Sequence, residues 1–353
     1  MNTPLPINTP AGGLIVLDLD ESGRFVSHIT NRTVPDAEVT KYLQARLRIP
    51  HDATDIFVWV HGWNNSRERA QNSAAQLFAA VDAQYAATPQ QYRRLKGFKP
   101  MYVAVRWPSE SNPTARGYRK IRERAHAMTT SGYAEFALAQ LLGYLDARRE
   151  PPPTVPGMLR TSGGQYLHCV GHSFGGRFLG EAIAVAPTPQ RRLLALLPEN
   201  KFHRFTVDTF LVFQMAARRD VFAQRFGPML NQGPLQGPVC LTFSKYDRAC
   251  SLWHALAERG RLAIGARGAA QPRERIITTR LHSVHEPYAR GELVSRIVNI
   301  DAGWLYTGNR HRFEGAHSDF WYPASIHLLL TLANYARKSP ASPTGSPRTG
   351  APD

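Results

Sequence analysis

Cysteine is scarce. The 353-residue chain has three, Cys169, Cys240 and Cys250. An odd number with no C-x-x-C spacing excludes a disulfide framework and a cysteine zinc site. Cys169 and Cys240 lie in apolar, strand-like runs and read as buried free thiols, as expected in a reducing compartment. Long apolar runs are also missing. None approaches the roughly 20 residues a membrane-spanning helix needs. Met1 to Gly13 has no basic start followed by an apolar stretch, so no secretory signal is expected and the location reads as cytoplasmic. Acidic residues are few: 27 Asp and Glu stand against 43 Lys and Arg, a net charge of +16. The positive charge is spread along the chain, with short clusters at Arg116–Arg124 and Arg191-Arg192. Aromatic residues do not interleave with these clusters, so no nucleic-acid partner is expected.

What is present is an alternation of short apolar runs and helical patterns. Strands are predicted at Gly13–Leu19, Asp55–Val60, Met101–Val105, Tyr166–Val170, Phe205–Ala216, Pro238–Phe243 and Arg296–Ile300. A helix follows Val60, with Asn65 as N-cap and Glu68 completing a capping box. Its apolar positions Ala70, Ala74, Leu77, Phe78, Val81 and Tyr85 keep the 3.6 period. Further helices are predicted at Tyr133–Leu145, Gly175–Val185 and Ala324–Arg337. Strands of this length between helices predict an α/β fold, with a mostly parallel central sheet covered on both faces. Residues 1–337 read as one domain, the Pro-rich Glu150–Pro156 stretch as a loop within it, and the Pro/Ser/Gly-rich residues 338–353 as a disordered tail. The long polar segments 191–204 and 265–292 are lid candidates.

Gly171-His172-Ser173-Phe174-Gly175 is a G-x-S-x-G pattern. Alone it arises by chance in about one chain in ten of this length. Here a strand runs straight into it and a helix leaves it, which is the strand–turn–helix context of a nucleophile elbow. The flanking Gly171 and Gly175 suit a turn too sharp for side chains, and the helix N-terminus favours negative charge developing beside the serine. Ser173 is therefore the candidate nucleophile. A serine needs a base to take its proton. In such folds the acid and then the histidine follow in chain order. His317, in Gly315-Ala316-His317-Ser318 just before the closing helix, is the favoured base over His311. Asp247, after the Pro238–Phe243 strand, is the favoured acid, with Asp301 as the alternative. The oxyanion hole calls for two backbone N–H groups. Phe174 and Trp63 are the expected donors, the latter from the loop His61-Gly62-Trp63-Asn64-Asn65-Ser66. His61 and His172 read as structural residues at the site, and Gly62 as the residue that permits the tight turn.

The order of motifs resembles the bacterial α/β-hydrolase family DUF900. The motifs are Val58-Trp-Val-His-Gly-Trp-Asn-Asn-Ser66, Val105-Arg-Trp-Pro-Ser109, Gly171-His-Ser-Phe-Gly-Gly176, Ala217-Arg-Arg-Asp-Val-Phe222, Ser244-Lys-Tyr-Asp-Arg-Ala249 and Val298-Asn-Ile-Asp301, with His317 after them. The resemblance implies an α/β-hydrolase fold with a Ser-Asp-His triad and brings no substrate. The expected activity is hydrolysis of a small-molecule ester or lipid through an acyl-enzyme, without cofactor or metal. The alternatives are a non-catalytic binding protein on the same fold and a lipase-type secreted effector.

Overall fold

Asp55 to Val60 is apolar from Ile56 onward because both faces of its strand are covered. Ile56, Val58 and Val60 point into one half of the core, and Phe57 and Trp59 into the other. The fold is that of a computed structural model, which describes residues 10, 13–112, 114–149, 164–186, 205–231, 234–258, 260–308 and 314–337. The strands are β1 (Ile15–Leu19), β2 (Phe25–Val26), β3 (Asp55–Val60), β4 (Pro100–Arg106), β5 (Tyr166–His172), β6 (Thr209–Phe213), β7 (Val239–Phe243), β8 (Ile276–Arg280) and β9 (Ile297–Asp301). They form one sheet in the order β2-β1-β4-β3-β5-β6-β7-β9-β8. Only the β1–β2 pair is antiparallel. The mostly parallel α/β sheet expected from the sequence is thus present, with β5 at its centre.

The helices are α1 (Val39–Arg46), α2 (Arg67–Ala87), α3 (Ala115–Thr130), α4 (Ala134–Arg148), α5 (Phe174–Val185), α6 (Gly227–Asn231), α7 (His254–Ala257), α8 (Ile264–Arg267) and α9 (Pro323–Ala336). Leu43 of α1, Leu138 and Leu142 of α4 and Phe178 of α5 fill one half of the core. Phe78 of α2 and Leu329 of α9 belong to the other. No helix among the described residues is long and apolar enough to cross a membrane. All three cysteines are buried and free.

Three local differences from the sequence reading have physical causes. The N-cap of α2 is Ser66, whose Oγ accepts from the Arg69 N–H, and not Asn65. The Asn65 amide donates instead to the Gly62 and Trp63 carbonyls and holds the loop before the helix. Helix α3 contains the Arg116–Arg124 cluster, which is the wet face of an amphipathic helix. Its Tyr118, Ile121, Ala125 and Met128 are buried at spacings of three and four. The 265–292 segment contributes the end of α8 and edge strand β8, which pairs with β9. The 191–204 segment, the Pro-rich loop and the tail lie outside the described residues.

Candidate active site

The chain leaves β5 at His172 and enters α5 at Phe174, so one residue makes the whole turn. That residue is Ser173, at φ +54° and ψ −120°. Such a backbone costs on the order of 1–3 kcal/mol in a non-glycine residue and persists only where its surroundings enforce it. The enforcement is close packing. A Cβ on Gly171 would lie 2.4 Å from the Gly176 Cα, and one on Gly175 would lie 2.1 Å from the Val60 carbonyl oxygen. Both positions must be glycine for strand, turn and helix to pack this tightly.

Ser173 donates its hydroxyl hydrogen bond to His317 Nε2 across 2.8 Å. His317 Nδ1 donates to Asp247 Oδ2 across 2.9 Å. All three residues are buried. Burial disfavours the charged imidazole of His317, but the Asp247 carboxylate, by its charge and its hydrogen bond, outweighs this. Glu314 adds to the effect, and the ring sits above its ordinary value. The remaining Asp247 oxygen, Oδ1, accepts from the Cys250 N–H at 2.8 Å.

Asp247 and His317 are 70 residues apart and meet because their loops are stitched together. The Arg248 N–H donates to the Glu314 carbonyl, and the Ala316 N–H to the Tyr246 carbonyl. Gln214, just past β6, is a residue the sequence reading passed over. Its Nε2 donates to Asp247 Oδ2 at 3.2 Å and to the Ala316 carbonyl at 2.8 Å, so one amide ties the acid to the histidine loop. Gln214 is wholly buried at φ +48°, a second strained position beside Ser173. A polar residue interrupting the apolar run Phe210–Ala217 was the available signal.

The other candidates sort by contact. Asp301 ends β9, is exposed, and accepts from the Gly303 N–H through Oδ1. The structure pairs His317 with Asp247 and leaves Asp301 at the exposed end of β9. His311 lies outside the described residues. His172 Nε2 donates to the His317 carbonyl at 2.8 Å. Burial first, and then the charge of His317, hold the His172 ring well below its ordinary value, so it stays neutral. His61 donates from Nδ1 to the Gly62 carbonyl and accepts the Trp107 N–H at Nε2. Burial lowers it to about 4, so it too is a neutral tie. The Trp107-Pro-Ser109 stretch braces this loop further. The Trp107 indole donates to the His61 carbonyl, and the Asn64 N–H donates to the Ser109 carbonyl. So held, Gly62 lies against the elbow: a Cβ there would be 2.9 Å from the Ser173 Cβ. Among the described residues, neither the Trp63 nor the Phe174 amide is engaged by a protein acceptor. Arg218 and Arg219 do not enter the site. The first pairs with Asp220, and the second donates to the Gly268 and Arg267 carbonyls.

Asp247, Cys250 and His317 bring their donor atoms within 4.8 Å of one another, which invites a metal reading. The chemistry does not fit. Both carboxylate oxygens and the His317 Nδ1 are committed to hydrogen bonds within the protein. Burial and the Asp247 charge raise the Cys250 thiol well above its ordinary value, so no thiolate is on offer. A cavity of about 210 Å³ opens beside the site, lined in part by Trp63, Asn64, Arg69, His172, His317 and Trp321.

No curated protein and no solved structure matches the chain. Residues 36–276 match a family described as α/β hydrolases of unknown function, DUF900, a span that holds Ser173 and Asp247 and stops before His317. That match covers well over half the chain, so the protein belongs to the DUF900 family of α/β hydrolases.

Proposed function

We propose that the protein is a serine esterase acting on small carboxylic esters through Ser173, His317 and Asp247. The observation that carries this reading is the unbroken hydrogen-bond chain from Ser173 Oγ through the His317 ring to Asp247 Oδ2. His317 Nε2 takes the Ser173 proton as Oγ attacks the ester carbonyl. The resulting oxyanion is held by the Trp63 and Phe174 N–H groups. Collapse breaks the bond to the alcohol, which leaves with the proton from His317. Water, deprotonated by His317, then attacks the acyl-enzyme and releases the carboxylic acid and the free serine. Asp247 keeps the imidazole in the Nδ1–H form and stabilises its charged state. Each step uses only this chain's own groups and water.

The cavity of about 210 Å³ beside His317 is where the acyl or alcohol part of an ester would lie. One observation favours the non-catalytic binding reading instead: Ser173 has no exposed surface, and the cavity walls include His317 but not Ser173. A fluorophosphonate probe separates the two. The esterase reading expects covalent labelling of the wild type that Ser173→Ala abolishes. A folded wild type that no probe labels sinks it and leaves the binding protein.

A further inference from the structure

Asp301 lines a second cavity, of about 490 Å³, outside the carboxyl ends of β7, β9 and β8. Phe243, Asp301 and Arg280 are the last residues of those strands, and the register sets them side by side. Crevices at the carboxyl ends of parallel strands are where open α/β sheets bind ligands. The volume falls within the roughly 300–1,000 Å³ of small-molecule sites.

Its lining has three chemistries. Lys245, Arg267 and Arg280 are cationic. Arg280 is held by Glu286. Lys245 and Arg267 are exposed and have no carboxylate partner among the described residues. Trp304 is 42 % exposed, although its ring is fixed by the indole N–H bond to the Leu281 carbonyl at 2.7 Å. A large aromatic ring left half in water but held in one orientation is a surface for stacking. Asp301 uses one oxygen to accept from Gly303, and the other accepts no proton donor among the described residues.

A bare anion would account for the cations alone, and Asp301 would repel it. An uncharged aromatic would leave the cations without purpose. We propose that this cavity binds a nucleoside phosphate: the phosphate on Lys245 and Arg267, the base over Trp304, and a ribose hydroxyl donating to Asp301. Bases of any identity stack on the face of an aromatic side chain. A carboxylate accepting from ribose is a recurrent device of nucleotide sites. The proposal is independent of any role for Ser173.

Calorimetric titration of the full chain with AMP tests it, with inorganic phosphate and adenosine as the separated halves. AMP is expected to bind at one saturable site, and each half at least about tenfold more weakly. Arg267→Gln and Lys245→Gln should weaken AMP and leave adenosine unchanged. Trp304→Ala should weaken AMP and adenosine and leave phosphate unchanged. Lys245 and Arg267 are exposed, so unaltered thermal melts are expected for their variants, and far-UV circular dichroism is expected to show that Trp304→Ala keeps the fold. Three outcomes overturn the proposal. One is no saturable AMP binding up to about 10 mM. Another is phosphate binding as tightly as AMP. The third is AMP binding indifferent to Trp304→Ala, which would be the general pull of a basic surface.

Discussion

Asp247 and Asp301 both stand at the carboxyl side of the sheet, after neighbouring strands, yet they live in different chemistry. Asp247 is wholly buried and accepts from the Cys250 amide, the Gln214 side chain and the His317 ring. Asp301 is exposed and accepts one loop amide beside an open, cation-lined cavity. The same residue type at equivalent ends of paired strands becomes the orienting partner of a histidine in one place and a surface acceptor in the other. The difference lies in what covers the strand end. The Glu314–His317 loop closes over the turn after β7, while β9 runs out into a short loop that leaves its last residue wet.

The hardest blow to this contrast comes from removing what Asp247 serves. Ser173→Ala is expected to cost turnover on the order of 10⁶-fold, the scale on which triad members act as a unit. Far-UV circular dichroism should stay unchanged. Next, Asp247→Asn should lower kcat by about 10⁴-fold, because the amide can hold the wrong imidazole tautomer. Asp301→Asn should change kcat less than about twofold, as for a group outside the reacting unit. Steady-state kinetics with p-nitrophenyl acetate reads all three. Equal losses in the two Asp variants would erase the distinction drawn between the two strand ends.

Gln214→Ala sharpens the comparison from one side. It removes an amide donor from Asp247 and from the histidine loop, and should lower kcat by about tenfold with little change in KM. A KM effect with unchanged kcat would mean that Gln214 only shapes the binding surface.

The smallest effect is one of pH. In the proposed mechanism the neutral His317 ring is the base, so activity is expected to fall as pH drops through its raised folded-state value, and the acid limb of kcat/KM should have its midpoint above 6.5. Stability carries the opposite sign. The charged ring's contribution is present below the unfolded value of about 6.5 and is lost as pH rises through the folded one. In Asp247→Asn the supporting charge is gone and burial dominates, so the residual activity should show its limb shifted to lower pH. A limb that does not move would remove Asp247 as the cause of the shift.

Much of this was legible in the residues themselves. Ile56–Val60 reads as a doubly covered strand because every position is apolar. The elbow is visible because a strand, two spaced glycines and a helix meet around Ser173. Other parts were hidden for local reasons. In α3 the arginines mask an apolar stripe that only the three-and-four spacing reveals. Strand β8, IITTR, is half exposed at the sheet edge and lacks a buried strand's signature. At α2 two adjacent polar residues could each have capped the helix, and Asn65 was drawn off by the loop carbonyls.

By itself the sequence determined the parallel sheet, the strained turn at Ser173 and the short set of partners that could serve it. These follow from apolar periodicity and from glycines where no side chain fits, which are properties of neighbouring residues. Tertiary structure alone decided which aspartate reaches His317, that Gln214 stands behind it, and that Asp301 faces a cavity of its own. Those outcomes depend on which loops cover which strand ends, and so on packing between segments 70 to 102 residues apart, where a residue's chemistry is set by neighbours its own stretch of chain does not name.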